Sequence, residues 1–195
     1  EELFNEKLEQ ARSEIKHRLG ENASSHSRLL YIQRTIELLG IKSQLLLTLD
    51  LEQTYWRTFL QSCNLFSGIK ELLLKLQKLN IQTAIITDLT SQIQFRKIIF
   101  FGLEDFFDFI VTSEESGSDK PNEASFNLVI EKLGLKPEKC WMIGDSLNAD
   151  IKGANKLGLV SLHKISNIND MNYKETKPDA SFDDFNSINK YISNL

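Results

Sequence analysis

Residues 140–165 read "CWMIGDSLNADIKGANKLGLVSLHKI", and the fold turns on how this stretch is parsed. A short apolar run closes on Gly144 and Asp145, the pattern of a buried strand ended by a turn. The helix-forming "ADIKGANKLG" then leads into a second β-rich run, "LVSLHKI". Strand, helix and strand in that order make a parallel crossover. The same helix-to-strand unit recurs upstream. "GIKELLLKLQKLN" leads to "QTAIIT", "SQIQFRKIIFFG" to "FDFIVTS", and "NEASFNLVIEKLG" to "CWMIGD". Successive units of this kind predict an α/β, Rossmann-like, doubly wound parallel sheet.

Before this region no strand is needed. Leu3, Phe4, Leu8, Ala11, Ile15 and Leu19 recur at helical steps and stop at Gly20. "NASSHS" offers capping residues for a second helix through Leu29, Ile32, Ile36 and Leu39. The change of pattern sets a boundary near residue 64, with a small α-helical domain over 1–64 and the α/β core over 65–195. Beyond His163, residues 166–180 read as a solvated loop, and 179–195 as a short strand and a closing helix.

With 195 residues, 41% hydrophobic and 26% charged, the chain is long enough to bury a substantial core. No apolar run approaches the roughly 20 residues of a membrane span. A net charge of −4, with lysines scattered among acids, provides no basic surface for nucleic acid. Cys63 and Cys140 stand far apart and in no metal-ligand spacing, so both are expected to be buried, inert thiols in a reducing cytoplasm.

In a sheet of this kind ligands bind beyond the carboxyl ends of the strands. The residues there are Thr87 and Asp88, then Ser113 through Lys120, then Gly144 through Asp150. The first set offers a hydroxyl and the amides that open a helix, which suit an anion. Lys120 is a compact cation for a phosphate oxygen. Asp145 and Asp150 are hard oxygen donors suited to Mg²⁺. Taken singly, each also has a plain reading: Thr87 with Asp88, or Asp145 with Asp150, as helix caps, and Lys120 before Pro121 as a surface turn.

Together, "LFSGIKELLLKL", "AIITDLT", "TSEESGSDKP" and "MIGDSLNADIKGANKLG" resemble the haloacid dehalogenase-like hydrolase superfamily, in the branch with a helical cap. The resemblance makes residues 1–64 the cap. It implies a cytoplasmic, Mg²⁺-dependent phosphatase acting through an aspartyl phosphate on a small phosphorylated metabolite, such as a sugar phosphate or nucleoside monophosphate. Thr87 matches the hydroxyl that binds the phosphoryl group and Lys120 the lysine that neutralises it. Asp145 matches a Mg²⁺ ligand, and Asp150 the more distant acid that holds a metal water or orients the lysine. Two rival readings keep the fold: a 2-haloacid dehalogenase, and an inactive binding protein.

The rivals matter because the family's first motif, Asp-x-Asp-x-Thr, does not stand in this sequence. "LLLTLDLEQT" has Asp50, Glu52 and Thr54 at the right steps. It can be read as a strand with Asp50 as nucleophile, or as a last cap helix with Leu45, Leu49, Tyr55, Trp56, Phe59 and Leu60 in its stripe, capped by Thr48 or Asp50. The helical stripe fits better, and the motif is then expected upstream of Glu1. The family's nucleophile strand sits between the strands ending at Thr87 and at Asp145, so without it the sheet should part there. Asp88 departs from the Asn of most relatives, and its carboxylate is expected to turn to the amides of the following helix. Glu115, His26 and Arg28 could reach the site but read more simply as exposed, and Phe100, Phe101, Phe106, Phe107 and Phe109 read as packing.

Overall fold

The computed structural model describes residues 1–166 and 174–192. The chain is helical up to residue 62: α1 (Glu2–Leu19), a 3-10 turn (Ala23–His26), α2 (Arg28–Leu38) and α3 (Leu45–Ser62). Ala11 and Ile15 of α1 and Ile32 and Ile36 of α2 are buried, as their spacing on one helical face requires. "NASSHS" caps two elements rather than one. Asn22 accepts the Ser24 amide to start the 3-10 turn, and Ser27 accepts the Leu30 amide to start α2.

Asp50, Glu52 and Thr54 lie inside α3, so the strand reading of this stretch is wrong. The helix buries Trp56 and Leu60 on one side, a period that no strand has. The expected cap is also corrected. The helix begins at Leu45 after Gln44, and the Thr48 hydroxyl donates back to the Gln44 carbonyl.

The remaining elements alternate. They are α4 (Ile69–Lys78), β1 (Ala84–Thr87), α5 (Ser91–Phe100), β2 (Phe109–Thr112), the short α6 (Ser113–Ser116), α7 (Glu123–Leu133) and β3 (Trp141–Gly144). A π turn (Leu147–Ile151) then runs into α8 (Lys152–Leu157), followed by β4 (Val160–Lys164), β5 (Ala180–Phe182) and α9 (Phe185–Ile192). Part of the loop expected over 166–180 falls on 167–173, outside the described residues. Thr176 in its remainder is buried.

Every strand pair is parallel, β1 with β2, β3 with β4 and β4 with β5, with Thr87 opposite Thr112 and Gly144 opposite His163. The sheet is parted into two ladders, β1–β2 and β3–β4–β5. The apolar layers nevertheless run beneath both. Ile86 of β1 and Met142 of β3 pack on the cluster around Phe126 of α7. Ile85 packs with Leu73 of α4 and Ile98 of α5, and Ile143 with Leu72 of α4 and Phe185 of α9. Alternate residues of one strand thus face opposite layers. Helices therefore cover both faces, as a doubly wound sheet requires.

Phe101, Phe106 and Phe107 pack as expected, whereas Phe100 is half exposed. Cys140 is buried and Cys63 only partly so, and both are free thiols. Among the described residues no helix is long and apolar enough to cross a membrane.

Candidate active site

The carboxyl end of β1 is held from three directions. The Thr87 hydroxyl accepts a hydrogen bond from the Gln94 side-chain amide (2.7 Å), which also donates to the Asp88 carbonyl (2.9 Å). The Thr87 proton has only a 3.4 Å contact to that same carbonyl, so it can be given to an oxyanion. Leu89 sits at φ 124°, a conformation that side chains disfavour. It is secured there because its amide donates to the Ser113 hydroxyl at 2.9 Å. The opening of α5, expected to suit an anion, already has one of the chain's own: the Ser91 amide donates to the Glu114 carboxylate at 2.8 Å.

Lys120 joins the two halves of the parted sheet. Its amide donates to Asp88 Oδ1 (2.9 Å), and its ammonium to the Ile86 carbonyl of β1 (3.2 Å) and to Asp150 Oδ1 beyond β3 (2.7 Å). The side chains of Lys120 and Asp150 are 11% and 6% exposed, so this is a buried ion pair. Asp150 Oδ2 accepts the Ser146 amide at 3.0 Å. Both carboxylate oxygens are therefore engaged, and Asp150 is an orienter of the lysine in this geometry. Gly144 permits the approach, because a Cβ there would meet Asp150 Cβ, Cγ and Oδ2 at 2.4 Å.

Asp88 does not turn to its own helix as expected; it bonds the Lys120 amide across the strand edge. Burial pushes its carboxyl pKa up, against the lowering effect of the Lys120 amide and ammonium, and Asp119 and Asp150 push it further. Asp145 is exposed, and its carboxylate makes no hydrogen bond or ion pair among the described residues. Its backbone carbonyl contacts Nε2 of the fully buried His163 at 3.1 Å.

The helical segment reaches this edge through His26. Its Nε2 lies 2.8 Å from Asp119 Oδ2, and the Asp119 amide donates to the Glu21 carbonyl at 3.3 Å. Asp119 Oδ1 is buried with no hydrogen-bond partner among the described residues. His26 therefore ties the helical segment to the loop that carries Lys120 rather than being merely exposed. Glu115 pairs with Lys132 at the surface.

Of the residues predicted from sequence, Lys120, Asp88 and Asp150 are in direct contact. Thr87 lies between Ile86 and Asp88, both bound to Lys120, and Asp145 adjoins Ser146, which is bound to Asp150. Gln94 was missed, and Asp119 lay within the stretch Ser113–Lys120 without being singled out. Gln94 did leave a signal, being a polar residue in the buried stripe of Ile93 and Ile98. As a cation site the edge supplies one unengaged carboxylate, Asp145. No three His, Cys, Asp or Glu side chains converge on a metal position among the described residues. Such a donor set fits Mg²⁺, which keeps several waters and takes one or two protein carboxylates.

The family described as haloacid dehalogenase-like hydrolase matches residues 2–163. A ribulose-1,5-bisphosphate 5-phosphatase of Halopiger xanaduensis is 39% identical over 158 residues, covering 81% of this chain and 66% of that protein. A glyceraldehyde 3-phosphate phosphatase of Methanocaldococcus jannaschii is 31% identical over 121 residues, covering 62% of this chain and 51% of that protein. The chain thus spans between half and two thirds of the length of these relatives. Among solved structures, the magnesium-bound YfnB hydrolase of Bacillus subtilis superposes with a TM-score of 0.69 over 97% of this chain and 82% of that one, at 24% identity.

Proposed function

The chain belongs to the haloacid dehalogenase-like hydrolases, and from that membership we propose that it acts as a Mg²⁺-dependent phosphatase on a small phosphorylated metabolite, a sugar phosphate or nucleoside monophosphate. The observation that carries this reading is Lys120, pinned among the Ile86 carbonyl, Asp88 and Asp150 at the carboxyl ends of the strands. An ammonium has three N–H donors. Two are used here, and the third is left for a phosphoryl oxygen. The Thr87 hydroxyl, whose acceptor side is occupied by Gln94, donates its proton to a second oxygen. Asp150 acts through Lys120, holding it in place.

Asp145 is the residue that would hold Mg²⁺. When bound, the ion offsets the charge of the dianionic ester as it meets a carboxylate. In this reading the attacking carboxylate belongs to a strand filling the parting between β1 and β3, and it forms an aspartyl phosphate that water then hydrolyses. Residues 1–64 act as the cap and 65–195 as the core. The free thiols Cys63 and Cys140 suit a cytoplasmic setting. The names of the similar phosphatases of Halopiger and Methanocaldococcus support a phosphorylated sugar as substrate.

The test is phosphate release by the full-length protein from a panel of sugar phosphates and nucleoside monophosphates with Mg²⁺. Lys120→Ala or Asp145→Ala should each lower kcat by about 100-fold or more, and EDTA should abolish turnover. Activity that survives both substitutions overturns the proposal.

A further inference from the structure

One half of α3 is covered and the other is bare. Leu46, Leu49, Gln53, Trp56 and Leu60 recur at alternating three- and four-residue steps, the seam of a helix that packs along another. In the C-terminal half Trp56 and Leu60 are 4% and 9% exposed, whereas Leu46 and Leu49 in the N-terminal half are 74% and 54% exposed. Leu45 beside them is as bare as Leu46. Single apolar residues at a surface are ordinary, but a cluster on one helix face marks a surface that something covers.

The covered half borders an open groove. Gln53, Arg57 and Leu60 of α3 and Arg96, Ile99 and Phe100 of α5 line a space of about 390 Å³. Ile99 and Phe100 are themselves exposed, so the wall supplied by α5 is apolar and accessible. Arg57 and Arg96 are exposed as well, and among the described residues neither has an ion pair. An occupant complementary to this groove is apolar and carries negative charge.

The bare half of α3 has that chemistry. Leu46, Leu49 and Asp50 adjoin on the helix surface at three- and four-residue steps. Asp50 is exposed and has no ion pair among the described residues. It cannot reach Arg57 of its own chain, because the seven residues between them on one helix span about 10 Å. A second copy running antiparallel can supply it. Gln53 stands midway between Leu46 and Leu60, and a two-fold axis there carries Leu46 and Leu49 of each copy into the groove of the other, against Ile99 and Phe100. Asp50 lies three residues before Gln53 and Arg57 four after it, so each Asp50 comes opposite the partner's Arg57. Such reciprocity is what a two-fold interface requires. Gln53 meets its own copy at the axis, where an amide can donate and accept at once, and a polar residue on a seam fixes its register.

We infer that this face of α3 and α5 is the interface of a homodimer, in which two copies of α3 pack antiparallel about Gln53 and Asp50 of each copy pairs with the partner's Arg57.

The test is sedimentation velocity of the full-length protein over a range of concentrations. The substitutions fall on exposed side chains, and circular dichroism checks that each variant is folded. The wild type is expected to sediment as a dimer. Leu49→Lys sets a cation against the basic groove and should raise the dimer Kd by about tenfold or more. Asp50→Arg alone and Arg57→Asp alone each bring like charges together and should do the same. The variant carrying both restores the pair with its signs exchanged, and its Kd should return to within about threefold of wild type. A wild type that stays monomeric at about 100 μM overturns the inference and leaves the groove to another segment of the chain or to a different protein. A dimer whose Kd Leu49→Lys changes by less than about twofold, or a charge exchange that dimerises no better than its two single variants, overturns it equally.

Discussion

Asp150→Asn removes one charge from the buried pair with Lys120 while keeping its shape. The pair is 2.7 Å apart with side chains 11% and 6% exposed, and removing one partner of such a pair costs about 3–5 kcal/mol because the other charge stays buried. Asparagine has one acceptor oxygen for two donors, the Ser146 amide and the Lys120 ammonium, so one of them is left unpaired and the expected loss is about 3 kcal/mol or more. For a chain of this size that lowers Tm by about 6–12 °C. Lys120→Met should cost a similar amount by stranding the carboxylate. The double variant has neither charge, and its loss should be only about 1–2 kcal/mol, well below the sum of the two. Urea unfolding of the four proteins measures the coupling directly. Activity separates the two roles, since the double variant should be folded and inactive. If the single losses simply add, or if Asp150→Asn unfolds within about 0.5 kcal/mol of the parent, the ion pair is not what holds Lys120 and the argument for the site's preorganisation fails.

Asp88→Asn should be stabilising at neutral pH, because the folded protein raises the carboxyl pKa above its ordinary 3.8 chiefly by burial. Between 3.8 and the raised value the folded state binds more protons than the unfolded one, so this group makes stability fall as pH rises through that window. The variant's advantage should grow across the window and vanish below it, as urea midpoints against pH would report; a less stable variant at pH 7 contradicts it. Gly144→Ala inserts a Cβ 2.4 Å from three atoms of Asp150, an overlap expected to cost about 1–3 kcal/mol and to displace the Lys120 partner. Both Tm and kcat should fall, and an unchanged kcat would show that Asp150 shifts without consequence. His26→Ala removes a 2.8 Å contact to an Asp119 whose side chain is 10% exposed, at an expected cost of about 2 kcal/mol. Retained stability would remove His26 as a tie between the helical segment and the Asp119 loop.

What the sequence made legible was what depends on local pattern. Each core strand falls within a residue or two of its apolar run, because short runs bounded by Gly or turn residues have few other solutions. The strands form two separate ladders, β1–β2 and β3–β4–β5. What escaped depends on partners distant in the chain. Asp88 bonds an amide 32 positions away and His26 a carboxylate 93 positions away, and no periodicity reports such pairs. The π turn before α8 was missed because Ser146 and Asp150 bond each other's neighbourhood there, Ser146 accepting the Ala149 amide and Asp150 accepting that of Ser146. Side-chain bonds of this kind compete with regular helix. The four residues of α6 are too few for a period to show.

The costly features of this chain are not scattered. Leu89 holds a disfavoured φ, Asp88 is a carboxyl pushed up by burial, and Lys97 is an ammonium pushed down by it. All three lie on β1, its following turn or the helix after that turn. The layers on either side are built of satisfied apolar contacts around Phe126, Leu72 and Leu73. Strain and desolvation persist only where surrounding structure over-determines them, and here Ser113, Gln94 and Lys120 hold Asp88 and Leu89 in place. A chain selected for stability alone would relax these positions with Asn, Met and a turn glycine. Their concentration at and just beyond one strand edge supports the site proposed there.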